Sequence, residues 1–169
     1  NNGEKVLRNQ ILKLTKEYVC KYGNNKNSNT INVTGKVIDH EEVCNIVESG
    51  LDMWFTSGRF NLEFEKKLKK FIDVKYLLTC NSGSSANLIA LSSLCNKYMM
   101  KESYIPKGSE VITPNLTFST TIAPIYQLDL IPHFIGVEKN KFLANPNQIE
   151  KCINKKTVAI MIPNLLGNI

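Results

Sequence analysis

The stretch "KYLLTCNSGSSANLIALSSL", residues 75–94, decides the fold class of this chain. An apolar run over 75–80 stops at a cluster of Asn, Ser and Gly, and apolar residues at helical spacing follow immediately. A short apolar run bounded by turn residues predicts a buried strand over 75–80, and the pattern after it predicts a helix over 85–100. The small polar residues therefore connect a strand to a helix, as in α/β folds.

The same alternation continues along the rest of the chain. Strands that alternate with helices at this spacing form crossover units, so the sequence predicts a largely parallel sheet flanked by helices. The predicted strands cover 109–113, 130–137 and 157–162, and the predicted helices between them cover 117–128 and 145–153.

The region before residue 75 is predicted to be helical. Amphipathic patterns predict helices over 5–22 and 61–72. Asp39 and Glu42 have the spacing of a capping box, which predicts a further helix that continues to about residue 53.

A polar segment, "GNNKNSNT" at 23–30, follows the first helix and is typical of a linker. We therefore expect an N-terminal helix and polar linker over 1–30, and a main domain over 31–169. The chain begins with Asn and ends just after an apolar run. We expect it to be a piece of a longer protein.

Composition and charge indicate one domain with a core and argue against nucleic-acid binding. The 169 residues are 43% hydrophobic, which is enough for one domain with a core. The net charge of +6 comes largely from Lys on predicted helices. In "FEKKLKKF", 64–71, the apolar residues share one stripe and the lysines face solvent, so we expect no nucleic-acid surface.

Targeting and metal signals are also missing from the sequence. No apolar run approaches the roughly 20 residues of a membrane span, and the first residues do not resemble a signal peptide. The five cysteines are scattered without a CxxC pair, which predicts reduced thiols, a cytoplasmic location and no metal centre.

Loops beyond the carboxyl ends of parallel strands form the ligand site in such sheets. This rule selects three loops, 81–85, 114–117 and 163–168.

The first of these loops has the chemistry of a phosphate site. A helix N-terminus offers unpaired N–H groups and partial positive charge. Gly83 allows close approach of the backbone, and Ser84 and Ser85 add hydroxyl donors. An ordinary Ser-capped helix start remains the alternative. The loop is not a Walker A, GxGxxG or GxSxG motif.

The second loop contributes an aromatic residue. Phe118 follows a predicted strand end, where its ring could stack on a flat ligand, although a core Phe would give the same pattern. A phosphate cradle and an aromatic ring at neighbouring strand ends together describe a site for a flat, phosphorylated ring. Pyridoxal phosphate is such a molecule.

Several motifs occur in an order that resembles one family. They are "WFTSGRFNLEFEKKLKKFI" at 54–72, "YLLTCNSGSSANLIAL" at 76–91 and "GSEVITPNLTFSTTIAPI" at 108–125. From about residue 31 to residue 169 the chain resembles the DegT/DnrJ/EryC1/StrS family of sugar aminotransferases and dehydrases, which have pyridoxal-phosphate fold type I.

The resemblance implies a role for particular residues. It implies that Gly83, Ser84 and Ser85 hold the cofactor phosphate and that Phe118 stacks on the cofactor ring. It also implies that the turn Thr56, Ser57, Gly58 and Arg59 lines a substrate site near the interface of a homodimer.

Within the family, "LDMWFTSGRF" and "NSGSSANL" resemble the nucleotide-linked 4-keto-6-deoxyhexose 3-dehydrase branch, and Asn164 stands where many members have His. That branch uses pyridoxamine phosphate, and a His replaces the Lys that otherwise holds the cofactor. Some of its members carry an iron–sulfur cluster, which no cysteine cluster supports here. The resemblance therefore implies C3 dehydration in deoxysugar or surface-polysaccharide synthesis.

Two other readings stay open, namely a sugar aminotransferase of the same fold and a non-catalytic homologue. We expect the catalytic base beyond residue 169, because His40 and His133 match no family motif and are expected to be structural.

Overall fold

A computed structural model describes residues 2–23 and 35–167. The chain divides into two compact units, Asn1–Leu78 and Thr79–Ile169. The predicted linker lies, apart from its first residue, outside the described residues, as does Asn168 of the third loop. The predicted domain division at residue 30 stays a prediction.

Within residues 2–23 and 35–78, the first unit contains three helices. They are α1 (Asn2–Tyr22), α2 (His40–Leu51) and α3 (Arg59–Phe71). The predicted capping box of α2 is confirmed, because the Asp39 side chain accepts from the backbone of Glu41 and the Glu42 side chain accepts from the backbone of Asp39.

Helices α1 and α2 pack against each other. The Arg8 guanidinium of α1 donates to the Leu51 carbonyl at 2.7 Å and to the Asp52 carboxylate at 2.9 Å. These contacts hold the C-terminal end of α2 against the N-terminal helix.

The second unit is built on a three-stranded sheet. Strand β1 (Glu110–Pro114) is central, between β2 (Ile131–Ile135) and β3 (Thr157–Ile160), and it is parallel to both. The helices of this unit are α4 (Gly83–Leu94), α5 (Lys97–Met100), α6 (Ser119–Gln127) and α7 (Pro146–Cys152). The predicted α/β class with a parallel sheet flanked by helices is confirmed.

The core of this unit lies between β1 and the two helices α4 and α6. Val111 of β1 and Ile125 of α6 are fully buried there, and Ile112 is fully buried on the opposite face of the strand. Each such side chain stabilises the fold by about 1.5–3 kcal/mol relative to its exposed state. The core cluster comprises Leu91, Ile105, Val111, Ile125 and Leu130.

The strand predicted over 75–80 is wrong in the described structure. None of the three strands of the sheet pairs with this segment, and Leu78 is 90% exposed. An apolar run becomes a strand only where a neighbouring strand supplies ladder hydrogen bonds.

The single helix predicted over 85–100 is also wrong, because two helices occupy this stretch. Helix α4 ends at Leu94, and Asn96 then caps α5 by accepting from the N–H groups of Tyr98 and Met99. Asn competes well for backbone N–H groups, so it interrupts a helix and starts the next one.

Candidate functional site

The N-terminus of α4 lies at the small polar loop. Ser82 is its N-cap, and the Ser82 hydroxyl oxygen accepts from the Ser85 N–H at 3.1 Å. The Ser82 hydroxyl also donates to the Ser85 hydroxyl at 3.1 Å. This cap satisfies the Ser85 N–H, so the N–H groups of Gly83 and Ser84 are the first-turn donors without a helical acceptor.

Ser82 was not among the predicted site residues, but the Ser-capped helix start that the sequence left as an alternative is present here. Its role is to order the first turn of α4. A capped first turn presents its remaining N–H groups in a fixed direction.

The space in front of Gly83 is open. A Cβ built on Gly83 would have no heavy atom within 4 Å apart from its chain neighbours and its own helix backbone. Gly83 is exposed, and no protein atom fills the space next to its Cα at the start of α4.

Phe118 is the N-cap residue of α6, directly after the β1 loop. Its side chain is 69% exposed, so it is not a core residue. Helices α4 and α6 pack against each other, and the Asn87 side-chain amide of α4 donates to the Thr120 carbonyl of α6 at 3.2 Å. The second unit thus places Gly83 and Phe118 at the N-terminal ends of two packed helices.

These features fit a phosphorylated aromatic ring. The helix end provides N–H donors and partial positive charge for a phosphate, and Phe118 provides an uncovered ring face. The adjacent Thr117 hydroxyl is buried and has no hydrogen-bond partner among the described residues.

The other predicted residues, Thr56 to Arg59, line a pocket of about 600 Å³ in the first unit. Trp54, the one tryptophan of the sequence, donates its indole N–H to the Ser57 carbonyl at 2.9 Å. A Cβ on Gly58 would lie 3.2 Å from the Trp54 ring, so glycine allows the indole to pack on this turn. The lining residues are Ser49, Asp52, Trp54, Thr56, Ser57, Gly58, Arg59, Phe60 and Asn61.

Arg59 is held by carboxylates of α2 and its C-cap. Its guanidinium donates to Asp52 at 2.8 Å and to Glu48 at 2.8 Å, and it lies 4.2 Å from the centre of the Phe60 ring. The hydrogen bond from Arg59, together with that from Arg8, lowers the pKa of Asp52 below its ordinary value. The hydrogen bonds to Asp52 and Glu48 raise the pKa of Arg59.

Arg59 was predicted from the sequence as a site residue, but its partners Asp52 and Glu48 were not. Asp52 binds both Arg8 and Arg59, so the turn before α3 is tied to α1 as well as to α2. The residues predicted to bind the cofactor lie in the second unit, and the turn from Thr56 to Arg59 lies in the first.

Both histidines have local polar partners. His40 begins α2 beside the Asp39 carboxylate at 3.7 Å, and His133 of β2 lies 3.4 Å from Glu110 of β1. Hydrogen bonds from Asn154 and His133 lower the pKa of Glu110. Among residues 2–23 and 35–167, no three Cys, His, Asp or Glu side chains converge to hold a metal ion.

Comparison with known proteins decides the family. The model of the DegT/DnrJ/EryC1/StrS aminotransferase family matches residues 36–169. The chain belongs to this family. The resemblance of the motifs at 54–72, 76–91 and 108–125 is thereby confirmed.

Two curated relatives of this DegT-family chain are similar over most of its length. The lipopolysaccharide biosynthesis protein RfbH of Salmonella typhimurium is 41% identical over 96% of the chain and 38% of that protein. The dTDP-4-dehydro-2,6-dideoxy-D-glucose 3-dehydratase of Saccharopolyspora spinosa is 37% identical over 83% of the chain and 30% of that protein.

A solved structure has the same fold. A GDP-4-keto-6-deoxymannose-3-dehydratase with a trapped PLP-glutamate geminal diamine matches with a TM-score of 0.72 and 26% identity. The match covers 78% of this chain and 33% of that one. The chain thus spans roughly a third of the length of the relatives that it matches.

Proposed function

We propose that the intact protein uses pyridoxal or pyridoxamine phosphate to modify a nucleotide-linked 4-keto-6-deoxysugar, by removing its C3 hydroxyl group. The reaction belongs to deoxysugar and surface-polysaccharide biosynthesis. The observation that carries the proposal is the capped N-terminus of α4 packed against α6, whose N-cap is the exposed Phe118, in a chain of this family.

The residues of the second unit would hold the cofactor. The N–H groups of Gly83 and Ser84, with the hydroxyls of Ser84 and Ser85, would bind the phosphate, and Phe118 would cover one ring face. Pyridoxamine phosphate supplies an electron sink when bound, and the protein orients it.

In the first unit, the pocket at Thr56, Ser57, Gly58 and Arg59 would bind the sugar nucleotide. Hydroxyl groups there can hydrogen-bond sugar oxygens. Because Arg59 is held by two carboxylates, its remaining N–H donors point in fixed directions. We propose no catalytic base among the described residues, and expect it beyond residue 169.

A second candidate is transamination of the same class of sugar, since the family is described as one of aminotransferases. The two reactions differ in their products. Dehydration removes the C3 oxygen of the sugar or exchanges it with isotope-labelled water, whereas transamination adds nitrogen and keeps that oxygen.

The test is incubation of the intact protein with pyridoxamine phosphate and nucleotide-linked 4-keto-6-deoxyhexoses, followed by mass spectrometry of the nucleotide sugar. Loss or exchange of the C3 oxygen supports dehydration. Gain of an amine supports the second candidate. A protein that neither binds the cofactor nor changes any of these sugars is the non-catalytic homologue.

We further propose that the intact protein is a cytoplasmic homodimer, because fold type I sites are shared between two chains. No helix among the described residues is long and apolar enough to cross a bilayer. Light scattering should give the mass of a dimer, and a stable monomer would contradict this proposal.

A further inference from the structure

Helix α6 contains a proline at an interior position. Pro124 is fully buried and lies in the middle of α6. Proline has no N–H group, so the carbonyl four residues earlier, that of Thr120, lacks its normal helical donor. The proline ring also clashes with that carbonyl in a regular helix, so the oxygen needs a donor from outside the helix.

A donor from the neighbouring helix takes this place. The Asn87 side-chain amide, on α4, donates to the Thr120 carbonyl at 3.2 Å in a partly buried contact. The bond joins residues 33 positions apart and replaces the N–H that Pro124 cannot offer. It therefore satisfies an acceptor that would otherwise be costly to leave unpaired.

The position of this bond relates it to the cofactor residues. Asn87 lies one helical turn after Gly83 and Ser84 on α4, and Thr120 lies two residues after Phe118 on α6. A shift between the two helices would change the distance between the phosphate cradle and the Phe118 ring.

We propose that Asn87 is a positioning residue that substitutes for the missing N–H of Pro124 and thereby fixes the phosphate cradle relative to Phe118. The positioning part rests on the proposed cofactor function. The substitution for the N–H does not, since it depends only on Asn87, Thr120 and Pro124.

The first experiment is a double-mutant cycle in the intact protein, read by thermal unfolding. Asn87→Leu keeps the approximate size but removes the donor, and should lower Tm by about 2–4 °C. Pro124→Ala restores an N–H opposite Thr120. The double variant should therefore lose less than the sum of the single effects, with a coupling of about fivefold or more in the unfolding equilibrium.

Ser93→Ala is the matched control. Ser93 is also on α4 and its hydroxyl donates to a backbone carbonyl, that of Ile89, within the same helix. Its effect on Tm should add to that of Pro124→Ala without coupling. Additive effects for Asn87→Leu and Pro124→Ala would overturn the proposal that Asn87 replaces the proline N–H.

The second experiment reads the orientation of the cofactor. The induced circular dichroism of pyridoxamine phosphate is measured at saturation, where differences in affinity no longer contribute. Asn87→Leu should lower this signal, Pro124→Ala in the same chain should restore part of it, and Ser93→Ala should leave it unchanged.

The outcomes separate the positioning role of Asn87 from its replacement of the Pro124 N–H. An unchanged signal in Asn87→Leu would overturn the positioning role even if the stability coupling is present. If the wild-type protein binds no pyridoxamine phosphate, the proposed function and the positioning role both fail. The thermal cycle then still decides whether Asn87 replaces the proline N–H.

Discussion

Substitution of Gly83 by Ala should weaken cofactor binding while leaving the fold intact. Gly83 is the first residue of α4, does not have a positive φ, and has open space where a Cβ would stand. The new methyl group would therefore meet no protein atom. In the proposed cradle, this methyl group would stand next to the bound phosphate and crowd it.

The substitution should weaken cofactor binding while leaving the stability of the fold unchanged or higher. A hydrogen bond between a backbone N–H and a charged phosphate contributes about 1.5–3 kcal/mol. Losing or lengthening one such bond should raise the Kd of pyridoxamine phosphate about tenfold or more. Ala is favoured over Gly in helices by up to about 1 kcal/mol, so the unfolding free energy should stay the same or rise.

The assay is an absorbance titration of the intact protein with pyridoxamine phosphate, paired with thermal unfolding without cofactor. Gly50→Ala is the matched control, because Gly50 is also helical and also has open space at its Cβ position. It should change Tm in the same direction without changing the Kd. Wild-type affinity in Gly83→Ala would refute the phosphate site at Gly83. A lower Tm would show that the new methyl group clashes with protein atoms, contrary to the open space described above.

Three further predictions follow from the site. Ser84→Ala should weaken cofactor binding about tenfold, and Phe118→Ala should weaken it less, because stacking is lost rather than a charged contact; the reverse order in a titration would contradict this assignment. Ser82→Ala should lower the unfolding free energy by about 1 kcal/mol, as for other N-caps, and chemical denaturation with an unchanged midpoint would contradict it. The ion pairs of Asp52 should stabilise the first unit above the ordinary carboxyl pKa and weaken as the pH falls through the lowered pKa of this group. The fluorescence of Trp54, taken as the difference between the protein and its Trp54→Phe variant, should follow that loss in acid. Asp52→Asn should abolish the acid transition of this fluorescence, and a transition retained in Asp52→Asn would contradict this.

Much of the fold was predictable because its signals are local. The capping box at Asp39 and the strand–helix alternation after residue 108 depend on residues close in sequence, and both are found in the structure. The strand at 75–80 failed for the opposite reason. An apolar run gives the tendency to extend, but a ladder partner must come from elsewhere in the chain.

The site shows the same division between local and tertiary information. The start of α4 was predicted to within two residues, because a cluster of small polar residues is followed directly by apolar residues at helical spacing. The roles of Asp52 and Asn87 were not predictable, because each depends on a contact with a residue far along the chain. Asp52 meets Arg8 across 44 positions, and Asn87 meets Thr120 across 33. Contacts between residues so far apart along the chain leave no pattern in the spacing of the sequence.

The most direct test of the central claim is a crystal structure of the intact protein with pyridoxamine phosphate. We predict phosphate oxygens at hydrogen-bond distance, about 2.7–3.2 Å, from the N–H groups of Gly83 and Ser84. We also predict that the cofactor ring lies against Phe118. A phosphate bound elsewhere, with the N-terminus of α4 left to solvent, would contradict it.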